Sequence, residues 1–254
     1  MVLAARVCAT LSKVSSTASR TDRNAAPALR LDNLYCERDD RVLFSGLSAD
    51  IYCGDTVQIV GPNGAGKTSL IGLITGTGIL DEGEIHWQGK PARGYHFYSN
   101  LLYLGHAPGV NISLTPLENL RWYFGLNGVK SENGSGILSD GKLLEALATV
   151  GLEDYDDVQC AHMSAGQQRR VALARLYLSQ APLWILDEPY TAIDTAGVAA
   201  LEARFQEHVQ SGGIIILTSH QSPKLNPLKM IDLANYQDSE FGKAETTLEA
   251  GADE

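Results

Sequence analysis

The chain of 254 residues has no apolar run approaching the roughly 18 to 20 residues that span a bilayer, so any membrane role must be borrowed from a partner. It has no excess of basic charge. Twenty Lys and Arg stand against 30 Asp and Glu, a formal charge of -10, which argues against a nucleic-acid partner held by a broad basic surface. Cysteine is scarce and scattered: Cys8, Cys36, Cys53 and Cys160 form no C-x-x-C pair. That leaves no sign of a zinc site or disulfide framework, and reduced thiols in a reducing compartment are the expectation. No internal repeat is visible. Apolar residues make up 44% and charged residues 20%, the composition of a globular chain long enough to bury a full core.

The two ends differ from the middle. Residues 1 to 26 carry Arg6, Lys13, Arg20 and Arg23 against the single acid Asp22, and are rich in Ser, Thr and Ala. At helical spacing Leu3, Val7, Leu11 and Val14 share one face, with Arg6, Lys13 and Arg20 on another. This is the acid-poor, amphipathic pattern of an organelle-targeting presequence; a disordered N-terminus is the alternative. From Gln237 to Glu254 six acids stand against Lys243, so a solvated, mobile acidic tail is expected.

Between the ends, strand-like and helix-like segments alternate. "DTVQIVG" (55 to 61), "LWILDEP" (183 to 189) and "GIIILTSH" (213 to 220) read as buried strands. "LSDGKLLEALATVGL" and "AGVAALEARFQEHVQSGG" have helical spacing with glycine near their ends. "NGVKSENGSG" (127 to 136) is a polar loop. The pattern predicts an α/β domain over residues 27 to 236 with a parallel sheet core, and a mostly helical insertion between about residues 107 and 160.

"GPNGAGKTS" (Gly61 to Ser69) matches G-x-x-x-x-G-K-[ST]. Gly61, Gly64 and Gly66 let the backbone fold tightly enough for successive N–H groups to face phosphate oxygens, with Pro62, Asn63 and Ala65 between them. A helix beginning near Lys67 adds its positive end. In this pattern Lys67 reaches the β- and γ-phosphates and Thr68 ligates Mg²⁺. A chance glycine-rich turn also fits the bare pattern, but not a strand before it and the helical run "TSLIGLITG" after it. In "WILDEP" Asp187 ends a strand, where it can hold Mg²⁺, and Glu188 follows where a carboxylate orients or deprotonates a water. Read alone, Asp-Glu-Pro is also a helix or loop cap. In "MSAGQQRRVALARLYL" the small turn Ser164, Ala165, Gly166, with Gln167, opens a helix whose N-terminus suits an anion. Ser164 is equally an ordinary N-cap, and both roles can hold at once.

Taken in order, the P-loop, the S-x-G-Q turn, the Asp-Glu pair and the late histidine resemble the ATP-binding subunits of ABC transporters over roughly residues 28 to 222. Within that span "VLFSGLS", "GEIHWQGKP", "LLYLGHAPGV", "LTPLENLRWY" and "MSAGQQRRVALARLYLSQAPLWILDEPYTAID" are similar to the CcmA family, ATPases of the cytochrome c maturation haem-handling complex. The resemblance implies a P-loop ABC ATPase fold with an antiparallel β subdomain and a helical subdomain beside the parallel core. It implies ATP and Mg²⁺, with Ser69 near the α-phosphate, Glu188 as catalytic base and His220 at the γ-phosphate. Asp194 would cross the interface of a head-to-tail homodimer, in which each ATP lies between one P-loop and the other copy's Ser164-Ala165-Gly166.

Partners would be membrane subunits resembling CcmB and CcmC, and the coupled event release of a haem-loaded chaperone. The chain has no C-x-x-C-H and no histidine ligand pattern of its own for haem. The presequence reading places it on the matrix face of the mitochondrial inner membrane; without a presequence, the cytoplasmic face of a bacterial inner membrane fits. Two positions depart from the pattern. An adenine-stacking aromatic is replaced by Arg38, with Tyr35 the other candidate. The glutamine of "GHQPG" is Ala107 in "GHAPG", which leaves three readings: water fills the gap, His106 substitutes, or hydrolysis is slowed; an impaired but living ATPase is the favoured one. A nucleotide-gated clamp with little turnover is therefore a second reading. A soluble ABC ATPase of ribosomes or DNA repair is a third and ranks last.

Overall fold

The computed structural model describes residues 26–126 and 138–237. The targeting-like segment up to residue 25, the polar loop at 127 to 136 and the acidic tail beyond Gln237 lie outside the described residues.

Two sheets form the frame. The antiparallel one has the order β2-β1-β4-β5, from β1 (Leu29–Arg38), β2 (Arg41–Ile51), β4 (Glu82–Trp87) and β5 (Lys90–Pro91). In β1 the inward residues are Leu29, Leu31, Leu34 and Cys36, a spacing that slips once. The slip is a bulge between Leu31 and Leu34 around Asn33, whose φ is 51°, so alternation resumes on the same face. Asp39 and Asp40, at φ 52° and 59°, make the tight hairpin turn into β2.

The parallel sheet has the order β6-β7-β8-β3-β9, from β3 (Thr56–Val60), β6 (Leu101–Leu104), β7 (Leu183–Asp187), β8 (Ile214–Thr218) and β9 (Lys229–Asp232). Every residue of β7 and β8 is buried, which explains their unbroken apolar runs: both faces of this sheet are covered. Leu183, Ile185, Ile214 and Ile216 face a core shared with the antiparallel sheet and α1 (Lys67–Thr75). Trp184, Leu186, Ile215 and Leu217 face the core under α5 (Ala165–Leu178) and α6 (Thr195–Gln210). Each large apolar side chain so covered contributes roughly 1.5–3 kcal/mol.

The short α2 (Gly94–Tyr98) joins the first core through Phe97. A third cluster lies between α3 (Pro116–Leu126), α4 (Asp140–Thr149) and α5, built on Leu120, Phe124, Leu143, Leu147, Val171 and Ala174. Helix α5 is thus wedged between two cores, and everything from Val171 to Leu176 is buried. No described helix is long and apolar enough to cross a membrane. Cys36 and Cys160 are buried free thiols, as expected, but Cys53 is disulfide-bonded. Spacing along a sequence does not reveal disulfide pairing.

Candidate nucleotide site

In a parallel α/β sheet the loops leaving the carboxyl ends of the strands gather on one edge. Here β3, β7 and β8 deliver the 61–66 loop, the Asp187–Glu188 pair and Thr218–His220 to that edge. The loop turns through positive φ at Gly61, Gly64 and Gly66 (146°, 78° and 96°). At Gly66, where φ is 96°, a Cβ would be strained by the backbone and would also lie 3.1 Å from Leu43 Cβ and 3.2 Å from the Phe44 ring, a tight fit against β2. Helix α1 begins at Lys67 with no acid in its first turn, leaving its positive end uncompensated. The Lys67 ammonium donates to the carbonyls of Gly61 at 2.8 Å and Pro62 at 3.0 Å, folded back over its own loop.

Opposite, Asp187 is 2% exposed and takes two hydroxyl donors: Thr68 to Oδ2 at 3.3 Å and Thr218 to Oδ1 at 2.6 Å. The Thr218 hydroxyl also accepts from the Glu188 N–H at 3.0 Å. Glu188 sits at φ 51°, a left-handed conformation uncommon for a residue with a side chain. Its carboxylate lies 3.6 Å from His220 Nε2 and accepts from the His220 N–H at 3.4 Å. Thr68, Asp187, Glu188 and His220 therefore converge, although 119 residues separate the first two. The hydroxyl of Thr68 and the carboxylate of Asp187 form an all-oxygen pair of the kind a hard divalent cation prefers.

Other residues singled out in the sequence are held elsewhere. Ser164 is the N-cap of α5 in a full capping box: its hydroxyl accepts from the Gln167 N–H at 3.2 Å, and Gln167 Oε1 accepts from the Ser164 N–H at 2.8 Å. Among the described residues no hydrogen bond joins Ser164–Gln167 to the 61–69 loop. Gly166 approaches the Ala192 carbonyl so closely that a Cβ would stand 3.2 Å away. Asp194 caps α6, accepting from the Gly197 N–H at 2.7 Å. Arg38 is exposed at the β1–β2 hairpin, and Tyr35 donates to Glu37 at 2.6 Å, the main reason its phenol is pushed up to about 12. Ala107 and His106 are both exposed.

Three residues at this edge are not picked out by motif reading. Thr218 is one; its signal is a polar residue closing an apolar strand. The others are Arg169 and Arg175, each 4% exposed within α5. Arg169 donates to the carbonyls of Gly105, Asp187 and Glu188, and Arg175 to that of Gly109. Burial lowers the pKa of both.

This fold, with a glycine-rich loop and a strand-end Asp-Glu pair meeting on one sheet edge, defines an ATP-binding cassette, and the chain belongs to the ABC transporter family. Residues 44–191 match the family described as "ABC transporter". The chain is 54% identical over 206 residues to "Cytochrome c biogenesis ATP-binding export protein CcmA" of Saccharophagus degradans, covering 81% of this chain and 92% of that protein. Among solved structures it is similar to a putative ABC transporter ATP-binding protein from Pyrococcus furiosus, with TM-score 0.69, 25% identity and coverage of 82% and 98% of the two chains. It shares its fold with an ATP-binding cassette solved as a dimer in a post-hydrolysis state bound to ADP and Pi, with TM-score 0.65, 21% identity and coverage of 76% and 88%. The chain is an ABC-type ATPase.

Proposed function

We propose that this chain is the ATP-hydrolysing subunit of a membrane complex for cytochrome c maturation. Its partners are membrane subunits resembling CcmB and CcmC, and hydrolysis drives release of a haem-loaded chaperone. The convergence of Thr68, Asp187, Glu188 and His220 carries this reading, in a chain 54% identical to a CcmA.

The N–H groups of the 61–66 loop and the start of α1 bind the phosphates of ATP, and Lys67 exchanges its own loop carbonyls for the β- and γ-oxygens. Ser69 lies near the α-phosphate. Thr68 and Asp187 hold Mg²⁺, which when bound neutralises phosphate charge; Thr218 fixes the Asp187 carboxylate for that task. Glu188 orients a water toward the γ-phosphorus and takes its proton as the new P–O bond forms. The bond to the β–γ bridging oxygen breaks, leaving ADP and phosphate. His220 meets the γ-phosphate. Arg38, or Tyr35, stacks on adenine.

Two copies close head to tail, so that the other copy's Ser164, Ala165, Gly166, Gln167 and Asp194 complete each site. The exposure of Ser164 and Ala165, and the lack of a described bond from their turn to this chain's own loop, support that arrangement. The relative is bacterial, which favours the cytoplasmic face of a bacterial inner membrane and lends no support to the mitochondrial placement.

Ala107 slows rather than abolishes turnover, because Glu188 and His220 remain. The test is MgATP binding and steady-state hydrolysis by the full chain beside Glu188→Gln and Ala107→Gln. Glu188→Gln should bind ATP and lose about 10² to 10³ in kcat, and Ala107→Gln should exceed the parent rate. Activity per molecule should fall on dilution as the dimer separates. Tight binding without turnover, unrepaired by Ala107→Gln, would instead support a nucleotide-gated clamp, the reading that Ala107 favours.

A further inference from the structure

Strands β6 and β7 pair from Leu101–Leu183 to Leu104–Leu186, and there the ladder stops. The next carbonyls on both sides are taken over by one side chain. Arg169 Nη1 donates to Gly105 at 2.7 Å and His106 at 3.4 Å, while Nη2 donates to Asp187 at 3.0 Å and Glu188 at 2.9 Å. Among the described residues no carboxylate lies within ion-pair distance of this buried guanidinium. Its bonds are all to backbone, and all to the two segments that carry Ala107 and Glu188.

The geometry at Nη2 is selective. Successive carbonyls of an extended strand point to opposite sides, so one nitrogen cannot serve both. Here the carbonyls of residues 187 and 188 turn the same way because Glu188 is in its left-handed conformation, φ 51°. In this left-handed conformation the one nitrogen reaches both carbonyls, which an extended strand would part. The same residue's carboxylate meets His220, so the peptide that Arg169 holds also carries that contact. Six residues along the helix, Arg175 does similar work, donating to Pro108 at 3.4 Å and Gly109 at 2.6 Å from beneath the Tyr123 ring. The 105–109 segment is thus tied to α5 on either side of Ala107, whose own side chain can tie nothing.

We propose that Arg169 is a positioning residue for hydrolysis: it locks the strained Glu188 peptide and links it to the 105–109 segment through the helix that opens at Ser164. The inference rests on the reading of Glu188 as the group that orients water. A peptide clamp should affect the chemical step and leave the phosphate loop alone, and that separates it from a residue that merely supports the fold.

The experiment compares Arg169→Met, Arg169→Gln and Arg169→Lys with the parent in the full chain, alongside Glu188→Gln. It measures ATP Kd, kcat, KM and amide hydrogen exchange at residues 105–109 and 187–191. In Arg169→Met, kcat should fall by about 10²-fold, the cost of a small misplacement. Kd should stay within about twofold of the parent, the signature of an effect confined to the transition state. Exchange should quicken in both segments. Arg169→Gln should resemble Arg169→Met, and Arg169→Lys should recover part of the loss. Unchanged kcat, parallel loss of Kd and kcat, or failure of all three variants to fold would each overturn the proposal, the last by making Arg169 purely structural. If Glu188→Gln is inactive while the Arg169 variants turn over normally, only the positioning role fails. If Glu188→Gln keeps the parent rate, the reading of Glu188 fails first.

Discussion

His220 and Glu188 meet twice: Nε2 stands 3.6 Å from Oε1, and the histidine N–H donates to Oε2 at 3.4 Å. The imidazole is 70% exposed and the carboxylate side chain only 17%. The pair thus presents one accessible partner and one sheltered partner to anything bound over the P-loop. His220→Ala should lower kcat by about 10²-fold, as expected for loss of one group aimed at developing charge. ATP affinity should change little. Phosphate-release kinetics beside equilibrium nucleotide binding check this; equal losses in both would make His220 a ground-state contact.

Thr218 is 1% exposed and bridges the two acids, donating to Asp187 Oδ1 and accepting from the Glu188 N–H. Thr218→Val keeps the shape and strips both bonds from buried groups. Leaving such groups unpaired costs about 1–3 kcal/mol each, so denaturant unfolding should show a loss in that range or somewhat above it. Thr218→Ser, which keeps the hydroxyl, should recover most of it. A valine variant as stable as the parent would mean that water replaces both bonds.

His208 stacks on Trp184 at 3.7 Å, with an interplanar angle of 7°. Burial, and secondarily the Arg204 charge, push its pKa down to about 3. The unfolded chain protonates this histidine below about pH 6.5, while the folded chain does not until about pH 3. Its contribution is therefore intact above 6.5 and is lost as pH falls, by about 1.4 kcal/mol per pH unit at most. Thermal unfolding from pH 7 to 4 should be less pH-dependent in His208→Gln than in the parent. Parallel pH dependences would show that acid destabilisation arises elsewhere.

Much of the domain could be read from short windows. The strands at 55–61, 183–189 and 213–220 appear as β3, β7 and β8, because strands covered on both faces are predominantly apolar, with Gln58, Asp187 and Thr218 as buried exceptions that make hydrogen bonds. The helical readings at 138–152 and 196–213 correspond to α4 and α6. Of the two roles that the sequence allows Ser164, the structure shows the capping one, with its hydroxyl taking the Gln167 N–H. The bulge at Asn33 is not legible in a short window, since it depends on the register with β2 and β4.

The two adjacent arginines mark the boundary best. In "QQRRV" nothing local separates Arg169 from Arg170, yet the first is 4% exposed and grips four carbonyls while the second stays partly open. The sequence by itself determined the α/β class, the phosphate loop and the identity of the acids beside it, because glycine conformations, strand burial and motif spacing act over a few neighbouring residues. Only the tertiary structure decided which hydroxyl holds Asp187, which arginine clamps Glu188 and what secures the segment around Ala107. Those contacts join residues 18 to 119 positions apart, and they exist only once the order β6-β7-β8-β3 brings the strand ends together.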